Sequence, residues 1–211
     1  MNEWTKALHA YCEAHSTAPS AVLNELERET HLKTLAPQML SGRLQGQLLR
    51  MLSLIFQPKA ILEIGTFTGY AAISMAEGLP DGSVLHTIEV NEEMEYLIRK
   101  YIDKAGLSNK IQLHIGDAEA IVPSLAETFD MAFIDAGKRD YAKFYEMVLD
   151  KIRPGGLILA DNVLWSGKVL EKSNDQDTNM LKDFNRMIQE DVRVENVLLP
   201  VRDGLVIIRK L

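Results

Sequence analysis

The chain carries one cysteine, Cys12, in 211 residues, so it has no internal disulfide framework and a reducing compartment is expected. No run of roughly 18 apolar residues occurs, which argues against a membrane-spanning helix. The first residues, Met1-Asn2-Glu3-Trp4-Thr5-Lys6, lack the basic stretch and apolar core of a secretory leader, so a cytoplasmic location is expected. Basic charge is also short. Against 30 Asp and Glu stand 23 Lys and Arg, and the net charge of −7 opposes nonspecific binding to phosphate backbones, although a local basic patch stays open. No Cys or His pair stands at zinc spacing; His9, His15, His31, His86 and His114 are scattered. The dinucleotide fingerprint G-x-G-x-x-G is absent, as are repeats and low-complexity segments. A chain of this length fits one domain that buries roughly 70% of its unfolded surface.

What is present centres on Ala60-Ile61-Leu62-Glu63-Ile64-Gly65-Thr66-Phe67-Thr68-Gly69-Tyr70-Ala71-Ala72. A short apolar run ends in an acid, turns through two glycines and continues as an Ala-rich helix from about Gly69 to Leu79, the pattern of a buried parallel strand feeding its crossover helix. Gly65 permits a tight turn with close backbone approach, and Glu63 brings a carboxylate to the rim, where it can accept from ammonium or hydroxyl groups. Upstream, residues 3–14 and 19–35 read as two helices, and Met39 to Gln47 leads into an apolar helix stopped by Pro58. Residues 1–57 thus form a helical cap, a candidate lid or partner surface, on an α/β core of residues 58–211.

From Lys59 the pattern alternates, with strands near 59–64, 83–89, 110–115, 129–134 and 155–160 and helices between them. Asp81-Gly82, Ala105-Gly106 and Pro154-Gly155-Gly156 are read as turns. Such alternation predicts a doubly wound, mostly parallel sheet with right-handed crossovers. After a helix over 178–190, Arg193 to Leu199 and Leu205 to Arg209 read as an antiparallel hairpin, giving seven strands.

Ligands in open parallel sheets bind beyond the carboxyl ends of the strands. The expected strand ends here deliver Glu63, Glu89, Asp117, Asp135 and Asp161 to one rim. Taken singly, each is as easily a helix cap, and Asp117 especially so. Together they repel unless a cation or a hydrogen-bonding ligand lies among them. Glu89 suits the hydroxyls of a ribose. Asp135, Asp161 and Asn162 offer two carboxylates and an amide, an oxygen set that suits Mg²⁺. Consecutive strand residues face opposite ways, so Asp161 and Asn162 can share one ion only where the backbone leaves the strand.

The Glu63 to Tyr70 stretch resembles motif I of S-adenosylmethionine-dependent methyltransferases. With Asp135-Ala136-Gly137-Lys138-Arg139-Asp140-Tyr141 and Asp161-Asn162-Val163-Leu164-Trp165-Ser166-Gly167, it looks most like the metal-dependent catechol and caffeoyl-CoA O-methyltransferases. The resemblance spans residues 39–211. It implies the class I methyltransferase fold, with S-adenosylmethionine contacted by Ser41, Glu63, Gly65, Thr66, Gly69, Tyr70, Ala71, Glu89, Asp117, Ala118 and Asp135. It also implies Mg²⁺, or Mn²⁺ or Ca²⁺, on Asp135, Asp161 and Asn162, Lys138 as general base, and Trp165 and Ser166 beside the acceptor. Alternatives stand for several of these: a helix cap for Ser41, a solvated loop lysine for Lys138, a core residue for Trp165. Gly137 stands where many relatives have an acid, Ala71 where they have a hydroxyl residue, and Ser166 where some have Asn.

The reading that follows is methyl transfer to one hydroxyl of a small aromatic vicinal diol, in a homodimer that the resemblance implies. A tRNA 5-hydroxyuridine methyltransferase of the same fold is the alternative, disfavoured by the acidic charge. A nucleotide-binding module or NAD oxidoreductase is the reading from another class, disfavoured by the missing fingerprint.

Overall fold

The computed structural model describes residues 3–172 and 175–211. Three helices, α1 (Glu3–Ala14), α2 (Ala21–Lys33) and α3 (Gly42–Phe56), precede the first strand. Strands β1 (Ala60–Ile64), β2 (Val84–Glu89), β3 (Ile111–Ile115), β4 (Phe129–Ile134) and β5 (Ile152–Asp161) then alternate with helices. These are α4 (Tyr70–Glu77), α5 (Glu95–Lys104), α6 (Ala118–Ser124) and α7 (Tyr141–Lys151), and α8 (Gln176–Glu190) leads to β6 (Val194–Leu199) and β7 (Leu205–Lys210). The sheet order is β3-β2-β1-β4-β5-β7-β6, with parallel pairing from β3 through β5 and β7 antiparallel to both neighbours. The expected mostly parallel seven-stranded sheet is therefore present. Among the described residues no helix is long and apolar enough to cross a membrane.

β1 explains why the fold is wound on both faces: all five of its residues are buried, Leu62 and Ile64 in one apolar layer and Ile61 in the other. Helices must cover both sides of such a strand. The amino-terminal helices belong to this packing. Glu29 of α2 accepts from Lys100 Nζ and Tyr101 Oη of α5, both at 2.5 Å, and Thr30 Oγ1 donates to Thr68 Oγ1 in the β1–α4 turn at 3.1 Å.

One expectation needs correction. Pro154-Gly155-Gly156, read as a turn, lies within β5, because the β4–β5 register shifts between Phe129 and Met131 and the extra chain is taken up in a bulge where Gly155 has φ +76°. Proline and paired glycines punctuate a bulge as readily as a turn, and only the neighbouring strand distinguishes the two.

Candidate active site

The strand order reverses between β1 and β4, and the switch point opens at their carboxyl ends. The turn after β1 is stitched to both neighbours: Gly65 N–H donates to the Ile88 carbonyl at 3.0 Å, and Asp135 N–H donates to the Ile64 carbonyl at 2.9 Å. Gly65 has φ +98°, and a Cβ there would stand 1.9 Å from the Asp135 carbonyl oxygen. The turn thus brings Gly65 against the backbone of Asp135. Phe67 also adopts a positive φ of 52°, and its N–H donates to Glu89 Oε2 at 2.6 Å, while Asn91 N–H holds Oε1 at 2.9 Å.

Glu63 is fully buried. Its Oε2 accepts a short hydrogen bond from Thr87 Oγ1, which lies 2.5 Å from Thr66 Oγ1, whereas its Oε1 is buried with no partner among the described residues. Burial pushes the Glu63 carboxyl up to about 8, with the charges of Asp135 and Glu89 adding to the shift and the Thr87 hydrogen bond opposing it. A buried acceptor without a donor is costly.

At the ends of β4 and β5 a second cluster forms. Lys138, in the short helical turn Lys138–Asp140, donates from Nζ to Tyr141 Oη at 2.6 Å, to Asn162 Oδ1 at 2.8 Å and to Asp135 Oδ1 at 3.2 Å. Tyr141 Oη in turn donates to the Asp161 carbonyl at 2.8 Å. Asp161, the last residue of β5, is fully buried; its Oδ1 accepts from Asn162 N–H at 2.8 Å and its Oδ2 from Gln45 Nε2 at 2.7 Å. Burial first, then the Asp135 charge, raises the Asp161 carboxyl above its usual range. Tyr141 is pushed up as well, by burial and then by Asp135 and Asp161. Asn162 has φ +58°, so the chain leaves the strand geometry between Asp161 and Asn162. That breaks the opposed facing that would have kept the two apart.

The following loop is equally contorted. Trp165, Ser166 and Gly167 have φ of 49°, 54° and 82°. Tertiary bonds hold this backbone, since Val163 and Leu164 N–H donate to the carbonyls of Gly204 and Asp203, and Ser166 N–H donates to Asp203 Oδ1. Trp165 is half-buried and packed against the core, in a turn that lies against α8, with its Nε1 unpartnered among the described residues.

The other candidates divide. Ser41, at the start of α3, is buried and its side chain makes no capping bond, so the cap alternative is not what is seen. Asp117 does cap, accepting from Glu119 N–H at 2.9 Å to open α6, with Ala118 buried behind it. Gly69 and Ala71 bracket the first turn of α4, whose N–H groups point out of the helix. Tyr70 opens α4 with its side chain buried. Its ring faces Gly46 and lines a cavity of about 210 Å³ with Arg43, Arg50, Ser74 and Glu77, on the α3 side of α4.

Three contributors were missed. Thr87 needed the β1–β2 register, which pairs Glu63 with Thr87, to be noticed. Gln45 carried a readable signal: it shares the buried face of α3 with Leu49 and Ser53, and a fully buried amide on an apolar helix face requires a polar partner. Arg202, whose Nη1 donates to Gln45 Oε1 at 3.3 Å, gave none.

Comparisons with known proteins identify the family. The sequence profile of the O-methyltransferase family matches residues 13–211. A catechol O-methyltransferase of Niastella koreensis is 40% identical over 160 residues, covering 74% of this chain and 72% of that protein. A caffeoyl-CoA O-methyltransferase of Mesembryanthemum crystallinum is 34% identical over 180 residues, covering 79% and 71% respectively. Among solved structures, a methyltransferase of Podospora anserina bound to S-adenosylhomocysteine superposes with a TM-score of 0.91 at 32% identity, covering 100% of this chain and 97% of that one. The O-methyltransferase of Bacillus cereus in complex with S-adenosylhomocysteine gives 0.90 at 29% identity over 97% of each chain. Profile, relatives and fold converge, and the chain belongs to the O-methyltransferase family as an S-adenosylmethionine-dependent enzyme of the catechol and caffeoyl-CoA type.

Proposed function

We propose that this enzyme methylates one hydroxyl of a small aromatic vicinal diol, with a divalent cation held by Asp135, Asp161 and Asn162 and with Lys138 as general base. The observation that carries the reading is the Lys138 ammonium itself, which lies 3.2 Å from Asp135 Oδ1 and 2.8 Å from Asn162 Oδ1, a cationic nitrogen where a hard ion would find its oxygens. Among the described residues no three His, Cys, Asp or Glu side chains form a cation cluster, and the proposed set accordingly counts the Asn162 amide as its third ligand. When bound, such an ion supplies chelation of both acceptor oxygens and a lowered hydroxyl pKa.

The chain's own groups do the rest. Lys138 Nζ, after giving its extra proton to solvent, takes the proton of the reacting hydroxyl. The oxygen then attacks the sulfonium methyl carbon in line, the carbon–sulfur bond breaks with its electron pair on sulfur, and an aryl methyl ether and S-adenosylhomocysteine leave. Glu63 Oε1 accepts the ammonium of S-adenosylmethionine and Glu89 its ribose hydroxyls. Ser41, Asp135 and the N–H groups after Gly65 orient the methionine end, while Asp117 and Ala118 flank the base. Trp165 walls the acceptor ring, with Ser166 beside it. A second copy of the chain is the proposed partner, supported by the exposed Trp4, Leu8 and Tyr11 along one face of α1 and by Val197 and Leu198 on β6.

Labelled methyl transfer from S-adenosylmethionine to caffeate and 3,4-dihydroxybenzoate, with Mg²⁺ and with EDTA, tests the reading. EDTA-sensitive labelling of the diols is the expected result. Labelling only of hydroxyuridine-containing tRNA would reject the small acceptor, and labelling untouched by EDTA would reject the cation.

A pH dependence follows from Glu63. Its folded pKa of about 8 lies above the ordinary 4.5, so its contribution to stability is complete below 4.5 and is lost as pH rises through about 8. The cofactor's ammonium favours the carboxylate, so binding near pH 7 releases a proton and strengthens as pH rises toward 8. Calorimetric titration with S-adenosylmethionine in buffers of different ionisation enthalpy is expected to show that proton, and Glu63→Gln to remove it.

A further inference from the structure

We propose that Gln45 and Arg202 are positioning residues for the cation site, acting through the carboxylate of Asp161; the inference rests on the metal reading above. Gln45 is fully buried on α3 and spans the space between two charged groups: its Nε2 donates to Asp161 Oδ2 at 2.7 Å, and its Oε1 accepts from Arg202 Nη1 at 3.3 Å. A guanidinium can only donate, so Arg202 fixes which end of the amide faces which way, and Nε2 is left pointing at Asp161. With Asn162 N–H on Oδ1, the carboxylate is gripped at both oxygens and its plane is set. Each oxygen retains a lone pair.

The choice of an amide matters chemically. A guanidinium placed directly on Asp161 would form a charge-assisted pair, neutralise the carboxylate and compete with a divalent ion for the same oxygens. A neutral donor orients the ligand and leaves its full charge for the metal. The positive charge of Arg202 is kept one side chain away, where it offsets part of the cost of burying Asp161 without occupying it. Partners in this relation to a ligand typically account for about 10–100-fold in metal affinity.

The test is Mn²⁺ binding to the full chain without S-adenosylmethionine, followed by electron paramagnetic resonance, for the parent, Gln45→Met, Arg202→Met and the double variant. Gln45→Met is expected to weaken Mn²⁺ binding about 10–100-fold. Arg202→Met is expected to weaken it less, and the double variant to lose clearly less than the two single losses combined, because Arg202 acts mainly by orienting the amide. Affinity for S-adenosylmethionine is expected to fall far less than Mn²⁺ affinity in all three, because its proposed anchors Glu63 and Glu89 sit on other strands and Asp135 is the contact it shares with the cation site. Parental Mn²⁺ affinity in Gln45→Met, or fully additive losses in the double variant, would overturn the proposal. Should Gln45→Met fail to fold, the half-buried Arg202→Met decides, and parental affinity there has the same meaning. A parent that binds no Mn²⁺ would instead overturn the cation site itself.

Discussion

Replacing Lys138 by methionine is expected to remove turnover while tightening the cation site. A positioned general base contributes about 10²–10⁴-fold to rate, so kcat should fall by that order. The ammonium also makes contacts of 2.8 and 3.2 Å with Asn162 Oδ1 and Asp135 Oδ1, where it competes with any divalent ion for the same electron pairs. Methionine keeps most of the apolar stem and removes the charge. Mn²⁺ affinity is therefore expected to rise several-fold as kcat collapses, two shifts of opposite sign that a misfolded site would not give. Single-turnover methyl transfer measured beside Mn²⁺ titration reads both. Transfer at the parental rate would reject the base, and weaker Mn²⁺ binding would show that Lys138 helps build the site instead of competing for it.

Gly65→Ala is expected to cost about 4 kcal/mol or more, the range reserved for a clash the structure cannot relax. The new Cβ would stand 1.9 Å from the Asp135 carbonyl oxygen and 2.7 Å from its carbon, so backbone must move, and that backbone carries Asp135. Gly82 supplies the control. It too has a positive φ, +78°, but a Cβ there meets nothing within 4 Å, so Gly82→Ala carries only the conformational penalty of about 1–2 kcal/mol. Urea unfolding of the two variants separates strain from close approach. Equal losses would mean that the contact with Asp135 is not what requires glycine.

Much of the candidate site was readable because periodicity and punctuation place strand ends, and ligands of open parallel sheets bind beyond those ends. Glu63, Glu89, Asp135 and Asp161 each fell at or beside the carboxyl end of a strand as expected. Asp117 shows the limit of the same rule, since its side chain caps α6 whatever else it touches. Tyr70 shows another, because helical position alone does not say which layer a ring enters; here α3 passes close enough for Gly46 to receive it.

The sequence by itself determined the alternating strand and helix order, the acids on the rim, and the motifs that place the chain in its family. Those features are local in the chain, carried by spacing over a few residues. Tertiary structure alone decided that β7 and not β6 lies against β5, that Pro154-Gly155-Gly156 is a bulge within a strand, and that the loop after Asp161 turns Asn162 through a left-handed conformation held by Asp203 and Gly204. It also decided that Gln45, 116 residues away in sequence, meets Asp161. Such contacts join segments whose separation no local pattern encodes, and their geometry is fixed only when both apolar layers of the sheet are packed.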